Sequence, residues 1–282
     1  MEMNNLLTKL VFNILSIMLA LLFIFPLVWM IVSAMKPEAA IFNDMGTLNS
    51  FLPSQHISDW FQSYKTIFDR FDIIRYLGNS ILYASAVTIG SILINASAGY
   101  AFATIDFKFK KVLFGLMIAL LVIPAETIMI TKFVVVQRLN LINTPFAVIL
   151  PLLSTPLYIY MFTVFFRAVS KEIQEAAMIE GANKLDIFLK VMLPMSKPAI
   201  ATVGTLSFIM SWNDYIWPLM VITNSDRYPL QVAITNINNT EPVYINQIMA
   251  ILTISTIPLI IIYVFFQKYL VQGMGASGTG VK

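Results

Sequence analysis

Cysteine is absent from these 282 residues, histidine occurs once, and charged residues make up only 12%. Without cysteine there are no disulfides, no thiolate nucleophiles and no Cys/His zinc sites, and cysteine usage says nothing of the redox compartment. The lone histidine, His56, stands in the polar stretch LPSQHISDW. It lacks the companions that metal binding needs, so it reads as a solvated loop residue. The shortage of charge excludes more. A soluble domain carries about 25% charged residues, and a chain that is 58% hydrophobic, with mean hydropathy +0.79, cannot cover a water-facing surface. Net charge is +3 with a pI near 9.0. That excess suits loop lysines beside a membrane and is too mild to point to nucleic acid.

What the chain does have is grease in long pieces. Six runs reach the roughly 20 apolar residues that cross a bilayer as helix: 10–32, 77–98, 112–130, 145–166, 199–221 and 246–266. None alternates apolar with polar, which excludes a barrel. The first run is too long for the apolar core of a cleavable signal, so it is expected to stay as a span. The fold class expected is all-α integral membrane with six transmembrane helices.

Six spans put both termini on one side. With the termini inside, 11 Lys/Arg face the cytoplasm against 7 outside. The short loop DFKFKK (106–111) is dense in lysine, and short loops carry the positive-inside rule. Both termini are therefore expected in the cytoplasm, with the long 34–76 loop outside.

One polar island interrupts the second half of the chain: EAAMIEGANKLDIFLKVMLPMSKP, 175–198. Ser170 can cap a helix with Glu172 in its first turn. Ile173, Ala177 and Gly181 share a face that shrinks to nothing at the glycine, which invites close approach of another backbone. Gly181 is expected to stop the helix, and Asn183 to cap a second one. Leu185, Phe188, Leu189 and Met192 predict an apolar stripe on that second helix. Pro194 is expected to end it, with Ser196 and Pro198 opening the next span. Physically the island is two short angled helices fused to a transmembrane helix: either a loop lying on the membrane or a handle for a cytoplasmic partner.

Other motifs weigh less. Gly273, Gly275 and Gly278 form a nominal G-x-G-x-x-G, but a dinucleotide fingerprint needs a strand before it and a helix after it. Gly275 to Gly280 nearly spells a phosphate loop, with Val281 where lysine is required. ATP hydrolysis by this chain is not expected, and no nucleophile–base pair or metal cluster suggests another enzyme. Trp212, Asn213 and Asp214 fall inside the predicted fifth span. A carboxylate there marks a translocation path, an interhelical network, or a site near the interface with the tryptophans as belt anchors. Glu126, following Pro124, reads as exposed at the outer end of the third span.

The island resembles the EAA loop of binding-protein-dependent ABC importer permeases: Glu175, Ala176 and Ala177, three residues, Gly181, then Val191, Leu193 and Pro194 at the expected spacing. LNLINTPFAVILP (139–151), LPMSKPAIATV (193–203) and WNDYIWPL (212–219) are similar to maltose-type carbohydrate permeases, as is the glycine-rich ending. The resemblance implies a MetI-like fold: a first span and outer loop over 1–74, a transmembrane domain over 75–270 with its EAA loop at 170–197, and a cytoplasmic tail over 271–282. It implies ATPase coupling through Glu175, Ala176, Ala177, Gly181, Leu193 and Pro194. Partners implied are a second permease subunit, two ATPase subunits that use ATP and Mg, and an extracytoplasmic solute-binding protein met through the 222–244 loop at Asp226, Arg227 and Tyr228. This chain binds no cofactor or metal in that scheme. The cargo implied is a sugar or oligosaccharide, with glycerol-3-phosphate or another small polar solute as an alternative. An ion-driven secondary transporter is a further rival, though only Asp214 and Glu126 would serve it.

Overall fold

Uninterrupted apolar runs become long helices: Glu2–Ala34, Ile73–Thr104 and Ile245–Gly278 are each continuous and apolar enough to cross a membrane. The computed structural model describes residues 2–278, with side chains over 8–268, and every regular element among them is helical. Pro26 and Pro258 sit inside two of these helices. Residues 279–282, the end of the expected tail, lie outside the described residues. Gly273, Gly275 and Gly278 fall within the last helix and not between a strand and a helix, so the nominal nucleotide fingerprint has no context.

The other three predicted spans are not single straight helices. Where 112–130 was expected to run through, Lys110–Val122 and Ala125–Arg138 meet at 104°. Pro124 forces the preceding Ile123 out of helical geometry, to φ −82 and ψ 120. The expected 145–166 span is Pro145–Leu152 followed by Pro156–Ala168 at 46°, broken where Thr155 is extended ahead of Pro156. The expected 199–221 span is Lys197–Asn213, a break at Asp214 and Tyr215, and the short helix Ile216–Val221.

A broken span needs partners for its freed backbone groups. Asn95, fully buried in the helix Ile73–Thr104, supplies them for the second bent pair. Its side-chain amide donates to the Leu153 carbonyl at 2.9 Å, and its side-chain oxygen accepts from the Thr155 N–H at 3.0 Å. Close approach is secured nearby by Gly99, where a Cβ would stand 2.6 Å from the Phe162 Cβ and 3.0 Å from the Thr163 nitrogen. Small residues that let backbones touch are the usual means of joining helices in lipid.

The chain forms two compact units. One takes residues up to Ile74 together with Ile234–Ile257; the other takes Arg75–Ala233 and residues from Pro258 onward. In the first, Lys36 is only 3% exposed and donates to the Asp44 carboxylate and the Asn49 carbonyl, each at 2.6 Å. Glu38 accepts from the backbone N–H groups of Ile245 and Asn246, where a carboxylate complements the positive start of the long helix. His56 is exposed in this unit, as expected of a loop histidine.

Among its described residues the second unit gathers apolar side chains into clusters, two of which bear on the site. One gathers Tyr83, Val136, Ala147, Val148, Trp217 and Val221. The other is built from Ala96, Tyr100, Phe162, Phe166, Ile187, Phe188, Met192 and Val203. This second core lies where three helices meet the polar island.

Candidate functional site

The island begins with Ser170, whose hydroxyl accepts from the Glu172 N–H at 3.2 Å and caps the helix Lys171–Ile179. That helix ends in a Schellman turn. Gly181 donates to the Met178 carbonyl and Ala182 to that of Ala177, both at 3.0 Å, with Gly181 at φ +92. Ala177 and Ala182, which face each other across such a turn, both pack on the core beneath. Asn183 then caps the next helix, its side-chain oxygen accepting from Leu185 and Asp186, both at 2.9 Å. Both caps and the glycine stop were legible in the sequence.

The second helix departs from expectation. After Lys184–Asp186 the chain widens into a π-helical turn over Ile187–Met192 and continues through Leu193–Met195. Pro194 therefore does not end the helix. In a regular α turn its ring would meet the carbonyl of Lys190, four residues back; the wider turn relieves that clash. The same widening rearranges the stripe. Ile187, Phe188 and Met192 are buried while Leu185 and Leu189 are exposed, because π spacing sets Ile187 and Met192, five apart, on one side. The helical path bends by 78° into Lys197–Asn213, with Pro198 in its first turn as expected. Ser196 does not cap that helix; its hydroxyl donates back to the Leu193 carbonyl at 2.8 Å.

The base of this module is clamped. Tyr100 and Phe188 rings lie 5.1 Å apart, and Phe166 meets both edge-on at 6.0 and 6.4 Å. The Tyr100 hydroxyl donates to the Lys184 carbonyl at 3.1 Å. Movement of the module is thereby tied to Ile73–Thr104 and Pro156–Ala168. Its outer side sets bare apolar side chains among charged ones: Met178, Leu185 and Leu189 are exposed, and Ile179 is 88% exposed, beside exposed Glu172, Glu180 and Lys184. Glu175, Ala176, Gly181 and Pro194 are also exposed, while Ala177 and Leu193 share their surface with the core. Lys190 holds Asp186 at 2.6 Å, and that contact lowers the Asp186 pKa below its ordinary 3.8.

Trp212, Asn213 and Asp214 stand at the break that ends the helix Lys197–Asn213. Trp212, 1% exposed, stacks on Phe208, and Trp217 donates its indole N–H to the Ala147 carbonyl at 3.0 Å. Both tryptophans are packed inside the protein, so neither is a belt anchor. Asn213 donates to the Ile209 carbonyl. Asp214 accepts from the Trp217 N–H at 3.2 Å, restarting the helix after the break. Glu126 is exposed beside the 104° bend.

Asp226, Arg227 and Tyr228 lie on a pinned turn. Arg75 pairs with Asp226 at 2.6 Å, and Asn79 donates to the carbonyls of Asp226 and Tyr228. Asn143, left-handed at φ +62, donates its N–H to Val221 and accepts from Asn224 at 3.1 Å through its side chain. Its carbonyl accepts from the Arg227 guanidinium. Arg75, Asn79 and Asn143 went unnoticed in the sequence. Only the readiness of asparagine for left-handed backbone hinted at the last.

The family model described as "Binding-protein-dependent transport system inner membrane component" matches residues 91–276. The arabinooligosaccharides transport system permease protein AraQ of Halalkalibacterium halodurans is 30% identical over 267 residues, covering 93% of this chain and 92% of the relative. The sn-glycerol-3-phosphate transport system permease protein UgpE of Yersinia pestis is 28% identical, covering 93% of this chain and 94% of its own. The lactose transport system permease protein LacG of Rhizobium radiobacter is 24% identical, covering 92% of each chain. Among solved structures, a chain of a bacterial ABC transporter involved in import of the acidic polysaccharide alginate shares the fold. Its TM-score is 0.83 at 24% identity, covering 94% of this chain and 97% of that one.

Proposed function

This chain belongs to the family of binding-protein-dependent transport system inner membrane components, and from that premise we propose that it imports a sugar or oligosaccharide. It does so as one of two permease subunits, with two ATPases on the cytoplasmic side and a solute-binding protein outside. Both termini lie in the cytoplasm in this reading. ATP and magnesium are handled by the ATPase subunits. The cargo reading is supported by the names of relatives that serve arabinooligosaccharides and lactose. Glycerol-3-phosphate, named for another relative, is the alternative cargo.

The observation that carries the coupling role is the polar module: two capped helices with bare apolar side chains on their outer side, held at the base by Tyr100, Phe166 and Phe188 and continuous with a span. Exposed apolar side chains on a polar segment cost solubility unless a partner covers them. An ATPase subunit seated on Glu175, Ala176, Gly181 and the Ile179 crest would push the rigid base and so turn the helices behind it. Asp226, Arg227 and Tyr228 offer the solute-binding protein a preformed turn, which reduces the ordering cost of docking.

Because the chain has no native cysteine, one introduced thiol reports cleanly. Ile179→Cys should crosslink to an ATPase subunit in the assembled transporter and be shielded there from water-soluble maleimide. Full maleimide labelling in the assembly, with no crosslink, would remove the coupling assignment. Uptake assays with arabino-oligosaccharides, lactose and glycerol-3-phosphate, each with the purified binding protein, decide the cargo.

A further inference from the structure

The loop between the helices Ile73–Thr104 and Lys110–Ala119, with the first two residues of the second helix, reads IDFKFKK, three lysines against one aspartate. Lys110 is engaged with Asp106 at 3.3 Å, while Lys108 and Lys111 are exposed. A fourth cation joins them. The Arg167 guanidinium lies 4.9 Å over the Phe114 ring, and Phe114 stands one turn along the helix from Lys110 and Lys111, on the same face. Arg167 is exposed as well, and donates to the Phe102 carbonyl at 3.4 Å.

Phenylalanines interleave with these cations. Phe109 is 64% exposed and Phe107 is exposed beside it, while Lys108 reaches over the Phe109 ring at 5.1 Å. The loop is held by aromatic packing, with Phe102 5.8 Å from Phe107 and 5.3 Å from Phe114. Immediately beyond it, Val112 and Leu113 are exposed on an apolar helix. A loop in water has no use for two bare phenylalanines, and a loop in hydrocarbon has none for three lysines. Both together match the interfacial layer, where aromatic rings settle at headgroup depth and lysine stems extend to charge in water. An excess of cations there selects negative lipid.

We propose that this patch binds the headgroup of an anionic phospholipid, with Lys108, Lys111 and Arg167 on its phosphate and Phe107 and Phe109 in the acyl boundary. The site stands apart from the transport assignment and from the side of the membrane on which the loop lies.

The test uses the complete transporter in nanodiscs of phosphatidylcholine doped with photoreactive phosphatidylglycerol. Label should map to 107–111 and to the peptide holding Arg167. Lys111→Gln should lower it about fivefold, as expected for loss of one lysine near an anionic surface. Replacing Lys108, Lys110 and Lys111 together by Gln should abolish it, and Lys171→Gln should change nothing. If the triple variant fails to assemble, raising salt on the unaltered transporter applies the same test, since labelling must then fall. Several outcomes overturn the proposal: undiminished label in the triple variant, equal labelling by a phosphatidylcholine probe, displacement by free inorganic phosphate, or crosslinks from this loop to a partner subunit.

Discussion

Gly181 shows what a single backbone angle can demand. A Cβ at this position would meet open space, yet φ is +92. The requirement is conformational and not steric. Asparagine accepts the left-handed region and should preserve uptake and ATPase association, whereas valine should destabilise the turn by about 1–2 kcal/mol and impair both. Equal performance of Gly181→Asn and Gly181→Val in proteoliposome uptake would refute this. Asp186 offers a second check at the same scale. Its pKa is lowered chiefly by the hydrogen bond from Lys190, so the contact contributes fully above the ordinary carboxylate value of 3.8 and is lost as pH falls through the lower folded value. The carboxyl carbon resonance of Asp186 should titrate below 3.8 and move back toward it in Lys190→Gln. Titration at 3.8 or above in the unaltered protein contradicts the assignment.

Between helices, two glycines that look alike in sequence should behave differently. At Gly99 an added methyl would strike the Phe162 Cβ and the Thr163 backbone; at Gly90 it would strike only the tip of Leu153. Gly99→Ala should therefore cost about 1–3 kcal/mol through overpacking, and Gly90→Ala should cost less because a side-chain end can swing away. Detergent-melting curves of the two variants rank them, and a reversed order defeats the argument. The elements themselves were unevenly legible. Apolar run length marked three continuous helices and three broken ones, and Ser170, Gly181 and Asn183 announced the two short helices of the polar island because capping is local chemistry. The breaks at Ile123–Pro124 and Asp214–Tyr215 were less visible, since proline is tolerated in spans whenever a neighbour supplies hydrogen bonds. Asn95, which does so for the second bent pair, lies 58 residues from Leu153. The π turn left no mark at all, because over so short a stretch an apolar pattern fits either the α or the wider π turn.

At the scale of the whole chain, the first span has no buried residue in its most apolar window, as expected of a subunit whose remaining surface belongs to lipid and to other subunits. Energy enters such a machine from outside this chain. Uptake by the reconstituted assembly should follow internal ATP and persist after ionophores collapse every ion gradient; loss of uptake under ionophore with ATP present would return the secondary-transporter reading. The wide turn over Ile187–Met192 also has a bearing on chain length. It stores one residue more than the regular helix would use. Deleting any one of these six residues should tighten the coil, drive the Pro194 ring into the carbonyl behind it, and swing the helix Lys171–Ile179 about 100° around the axis of its own stalk. Length here is as much a part of the machine as side-chain identity.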